Sequence, residues 1–154
     1  MMTRYEQYEQ ACERIRNVNA RLLADFREWL TRKGLSAQTV RNHVGNIDLY
    51  VNHYLLYDTA TEAVSGVYYV SSFLGHWYIR KAMWASESGI RGNAASLKKF
   101  YIYLNEQGQV PAEHVDLVRN SIKEGLPEWL ATMRRYADPL ITDSAEIWEP
   151  GEYG

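Results

Sequence analysis

The chain has 154 residues, five Trp, twelve Tyr and a formal net charge of −2. That length suits one domain around a single core, and the near-neutral balance argues against a strongly basic nucleic-acid binder. One cysteine, Cys12, excludes an internal disulfide framework and fits a reducing cytoplasm, while the polar start MMTRYEQYEQ does not read as a signal peptide.

Every strong segment has helical period. Residues 3–17 read as a charged N-terminal helix. NARLLADFREWLTRKG then reads as a second, with Asn19 as N-cap and Gly34 as the stop. Its apolar face is Leu22, Leu23, Phe26, Trp29 and Leu30. Ser36 caps the next helix, which runs to about Tyr57. Val40, Val44, Ile47, Val51, Tyr54 and Leu55 form its buried stripe.

DTATEA breaks the pattern. Thr61 then caps a helix that carries Val67, Val70, Phe73, Leu74, Trp77, Met83 and Trp84. Its uncharged run, 63–79, is shorter than a membrane span and holds Ser, Gly and His, so it predicts the most buried helix of a bundle. Ser86 or Ser88 starts the following helix, with Ile90, Ala94, Leu97, Phe100, Tyr101 and Leu104 on one face and Gly108 at its end. Pro111 begins another, with Val115, Val118 and Ile122. A last helix, around Pro127, carries Trp129, Leu130 and Met133. From Ala137 the chain has two prolines, five acids and no base, which predicts an extended tail that Trp148 ties to the body.

No stretch alternates long enough to demand a strand. The expected class is all-α: four core helices, an N-terminal helix and a C-terminal helical extension. Residues 1–136 form the domain and 137–154 the acidic tail. Charge is unevenly spread. Residues 14–99 hold twelve Lys/Arg against six Asp/Glu, a net of +6, and the rest holds five against thirteen, a net of −8. A basic centre between acidic ends bears on partners.

The search for chemistry is mostly negative. His43, His53, His76 and His114 form no i,i+3 or i,i+4 pair, so no metal spacing stands out. No nucleophile elbow or phosphate loop is present. No cofactor and no catalysis are expected. GIRG, at 89–92, allows three readings: a backbone clamp of the KH type, which needs strands; a helix start whose glycines permit close packing; or a helix N-terminus that binds phosphate beside Arg91.

The polar faces are more informative. Thr39, Asn42, His43 and Asn46 share one face of their helix, apart from the apolar stripe. Asn and Thr are poor helix formers, so their presence asks for another purpose. Asn reads adenine edges, Thr takes phosphates, and Arg and Lys do either. Arg41 lies on the same helix, and Arg91, Lys98 and Lys99 on the one that starts near Ser86.

Two stretches carry a family likeness. FREWLTRKGLSAQTVRNHVGNIDLYVNHYL and NAASLKKFYIYLNEQG resemble the N-terminal core-binding, SAM-like domain of phage integrases and other tyrosine recombinases. The first has that family's helix, Gly-Leu-Ser turn and Thr-bearing second helix. The second has its small-residue stretch, basic pair, aromatic pair and terminal Gly. VSSFLGHWYIRKAMWAS sits where the family has its middle helix. The likeness spans about residues 20–108, with the helical extension at 110–136 outside it.

The resemblance implies a four-helix bundle that forms half of a clamp on duplex DNA. It implies that Thr39, Asn42 and Asn46 face the duplex from the second core helix and that Arg41 lies near the backbone. Arg91, Lys98 and Lys99 would contribute from the fourth. The departure is that recombinases add a catalytic domain with a tyrosine nucleophile, which these residues are too few to hold. The expected function is therefore non-catalytic DNA binding, in the context of DNA integration or recombination. The alternative is an adaptor or dimerisation module that uses exposed aromatics at Tyr101, Tyr103, Trp129 and Trp148.

Overall fold

A computed structural model describes residues 1–138, 140 and 147. It is all-helical, with no strand among the described residues.

Helix α1 (Arg4–Arg32) opens with a capping box. The Thr3 hydroxyl accepts from Glu6 N, and Thr3 N donates to Glu6 Oε1 at 2.9 Å. The two N-terminal helices expected from sequence are one. Nothing between Arg16 and Leu22 breaks the ladder, and Cys12, Ile15, Asn19, Leu22, Phe26, Trp29 and Leu30 form one continuous buried stripe. Asn19 is not a cap: it is 1% exposed. Its amide donates to Val51 O at 3.2 Å and Asn52 Oδ1 at 2.8 Å. Long-range hydrogen bonding takes the amide that local capping would have used. Gly34, at φ +88°, makes the turn out of α1.

Helix α2 (Ala37–Asp48) starts at Ser36, whose hydroxyl accepts from Thr39 N. It continues into a π-helical turn, Leu49–Tyr54. The next segment departs from expectation. A short 3-10 turn, Ala63–Tyr68, replaces the start of the buried helix. Glu62, not Thr61, stands at its cap position, and the Thr61 hydroxyl pairs with that of Thr59. Two buried tyrosines hold this turn. Tyr50 donates to Gly66 O at 2.6 Å, and Tyr101 to Ala63 O at 2.7 Å. A Cβ at Gly66 would collide with the Tyr101 hydroxyl.

Helix α3 (residues 70–81) then runs through Val70–Ser72, a π-helical turn Phe73–Trp77, and Tyr78–Lys81. The backbone turns extended at Ala82. Met83 and Trp84 therefore fall beyond the helix and are 96% and 66% exposed, not core.

Helix α4 (Glu87–Glu106) is capped by Ser86 and buries Ile90, Ala94, Leu97, Phe100, Tyr101 and Leu104, as expected. Gly108 has φ +74°. Helix α5 (Ala112–Ala137) is also continuous where two helices were expected, and Pro127 lies inside it. The apolar stripe Val118, Ile122, Trp129, Leu130 and Met133 keeps its phase across the proline, and its burial outweighs the one lost backbone bond.

Helix α2 lies between α1 and α4, and α5 packs along α4 and closes over α3 and the 3-10 turn. One core is shared by all five helices. Rings dominate it: Phe26 meets Phe100 edge-on at 5.2 Å, and Tyr50 meets Phe73 at 4.8 Å. Tyr101, Tyr103 and Trp129 are buried in that core, so they cannot form the aromatic interface expected of them. Trp148 and nearly all of the acidic tail lie outside the described residues. Of the tail, Ile147 O accepts from Arg135 Nε at 2.9 Å.

Candidate nucleic-acid interface

The residues expected to meet DNA lie on two helices that pack side by side. Their joint is polar. His43 Nδ1 lies 2.7 Å from Ser96 Oγ, and Asn46 Nδ2 donates to the same oxygen at 3.0 Å. Ser96 donates in turn to Gly92 O at 3.0 Å. A hydroxyl has one proton and two lone pairs. With the proton on Gly92 O and one lone pair taken by Asn46, the remaining bond assigns a proton to His43 Nδ1. Burial, helped by the nearby Lys99 ammonium, disfavours the charged ring and holds its pKa below the usual value.

The pairings also set direction. Gly92 approaches Asn46, Ser96 bridges His43 and Asn46, and Lys99 acts on His43. The two helices therefore run antiparallel. A Cβ on Gly92 would stand 3.9 Å from Asn46 Nδ2, an ordinary contact that the joint has room for.

At 3.6 residues per turn, Thr39, Asn42 and Asn46 share the face of α2 next to this joint. Asn42 is exposed, and Thr39 and Asn46 are half-buried. Lys99 borders the joint from α4, while Arg91 and Lys98 lie on a stripe farther from it. The structure thus gathers Thr39, Asn42, Asn46 and Lys99 along one seam and places Arg91 and Lys98 as its outer flank. Arg41 falls on another side of α2, with Asp48. It reaches back through Gln38: Arg41 donates to Gln38 Oε1 at 2.8 Å, and Gln38 donates to Asn42 Oδ1 at 2.9 Å. Thr39 accepts from the Ser36 hydroxyl at 2.9 Å.

Acids are kept from this seam. Between Ser88 and Asn105, α4 has none. Glu87, one turn before Arg91, is gripped by Arg134 of α5 through two bonds of 3.2 and 3.0 Å, which hold its carboxyl below the usual range. Asp48 is occupied by Asn52 at 2.7 Å.

Sequence reasoning missed Ser96 and Gln38. Ser96 is the hub of the joint, and its only sequence signal is the run of small residues NAAS before the Lys pair. Of the readings of GIRG, the structure favours close packing at Gly89, where a Cβ would collide with the Tyr78 hydroxyl. Its N–H is already taken by Ser86 at 2.9 Å, which removes one donor from a phosphate site there. Among the described residues no three His, Cys, Asp or Glu side chains gather as a metal site, and no helix is long and apolar enough to cross a membrane. Comparison with family models, curated proteins and solved structures gives no match.

Proposed function

We propose that this chain is a non-catalytic module that grips duplex DNA along the α2–α4 seam, as in the integrase core-binding domains its sequence resembles. The observation that supports this most is the close antiparallel joint itself. His43 and Ser96, 53 positions apart in sequence, bond the two helices, so the Asn/Thr face of α2 lies beside Lys99 of α4, with Arg91 and Lys98 farther out. Phosphates would be met by Arg41, Arg91, Lys98 and Lys99, and base edges by Asn42 and Asn46.

Fluorescence anisotropy with a labelled random duplex tests this. Neutralising four phosphates implies that affinity falls by roughly a hundredfold between about 50 and 200 mM salt. The double substitution Lys98→Glu and Lys99→Glu should abolish binding with the fold intact. Equal affinity in that variant, or none in the parent at either salt, rejects the reading.

A second reading, a protein-interaction module, is favoured by a different observation. Met83 and Trp84, in the α3–α4 turn, are adjacent large apolar side chains that are 96% and 66% exposed. A concentration-dependent dimer in light scattering, lost in Trp84→Ser, together with no affinity for duplex, would select it.

A further inference from the structure

Away from the seam, the segment 54–61, with Tyr69 and Trp77, lines a half-open pocket of about 200 Å³. Its walls include Tyr54, Tyr57, Tyr69 and Trp77, and Asp58 lies at its edge. The rings meet at steep angles. Tyr54 is inclined 65° to Trp77 at 5.4 Å, and Tyr57 is inclined 73° at 6.0 Å. Tyr57 and Tyr69 are 53% and 42% exposed, so core packing does not account for them.

Ring faces carry negative potential, and several faces around one space attract a cation that sheds water easily. A carboxylate beside them adds full charge. Outside the pocket lining, the Lys81 ammonium donates to the Tyr57 hydroxyl at 3.3 Å and stands 5.3 Å from the ring centroid, at the hydroxyl end of the ring. A lysine ammonium is strongly hydrated and compact. A quaternary ammonium is larger and nearly free of hydration cost, and it matches a cavity of aromatic walls better.

We propose that Tyr54, Tyr57, Tyr69 and Trp77, with Asp58, form a cage for a quaternary or trimethylated ammonium group. The group could be presented by a free small molecule or by a trimethylated lysine side chain. This site is independent of the DNA reading.

The test uses the whole chain and follows the indole N–H resonance of Trp77, assigned by its loss in Trp77→Phe. Choline, a short peptide with trimethyl-lysine, and the neutral choline isostere 3,3-dimethylbutan-1-ol are titrated separately. The expected result is a saturable shift with either cation and binding about tenfold weaker for the isostere. Asp58→Asn and Tyr57→Leu, both at exposed positions, should each weaken binding roughly two- to fivefold. Tighter binding of the peptide identifies a modified protein tail as the source, and tighter binding of choline identifies a free metabolite. No saturable shift with either cation, or equal binding of the neutral isostere, overturns the proposal.

Discussion

His43 of α2 and Ser96 of α4 share a hydrogen bond of 2.7 Å across the joint of the two helices, and Ser96 is fully buried there. One hydroxyl therefore satisfies two side chains from the opposite helix and fixes how the helices meet.

Ser96→Ala removes that hub. His43 Nδ1–H and Asn46 Nδ2 lose their acceptor inside the protein, at a cost of about 1–3 kcal/mol. The better helix propensity of alanine offsets only a few tenths to half of one, roughly. The urea midpoint should fall by the corresponding amount. An unchanged midpoint would mean that water replaces the hydroxyl without loss.

Stability should fall with acid in a window set by histidine. His43 and His76 both have folded pKa values below the ordinary 6.5, mainly because burial disfavours the charged ring. The unfolded chain therefore binds the proton more readily. Their contribution is complete above the unfolded value and is lost as pH falls through the folded values. Denaturation midpoints should decline below about pH 6.5, and His43→Gln should flatten part of that decline. Lys99→Glu should move the His43 titration upward, because it replaces a repelling charge with an attracting one. NMR titration of the ring protons reads both.

Glycines on helices should respond in opposite directions. Glycine to alanine in a helix usually gains about 1 kcal/mol, and Gly45, with open space around it, should do so. Gly75 should not. An added Cβ would stand 2.6 Å from Trp129 Nε1. The same indole also lies close against Gly125, which restricts how it can shift. Gly75→Ala should cost about 1–3 kcal/mol. Thermal melts of the two variants against the parent should move apart.

The buried tyrosines give a further measurement. Tyr50→Phe removes one of two bonds to Gly66 O, which keeps the Tyr69 N–H at 3.2 Å, and Tyr101→Phe removes the hydroxyl bond to Ala63 O. Each should lower stability by about 1–2 kcal/mol. Because both bonds hold the same turn, the double variant should depart from the sum of the singles, and a strictly additive cycle would show the two anchors to be independent.

Local chemistry made much of this fold legible. Ser36, Ser86, Gly34 and Gly108 act where capping and turn rules place them, and the apolar stripes of α2 and α4 are buried as their periodicity demands. The failures share one cause. Asn19 has the side chain of a cap but spends it on Val51 O, and Thr61 has the hydroxyl of a cap but bonds Thr59. The run 63–79 is helical in composition, yet hydroxyls from Tyr50 and Tyr101 hold its first part as a tighter turn. In each case a partner distant in sequence or an unforeseen local bond outcompeted the helix rule.

The candidate site shows the same division. Helical spacing alone groups Thr39, Asn42 and Asn46. Nothing in the sequence joins His43 to Ser96, because that bond exists only once the two helices are assembled. Pro127 shows that a strong breaker yields when the helix on both sides of it has a core to bury.

The turn between α2 and α3 is pinned by α2 through Tyr50 and by α4 through Tyr101. It looks like a connecting loop but opens only when both helices release it. In hydrogen exchange its amides should belong with the slowest set, as expected of a keystone between the two helices rather than a hinge.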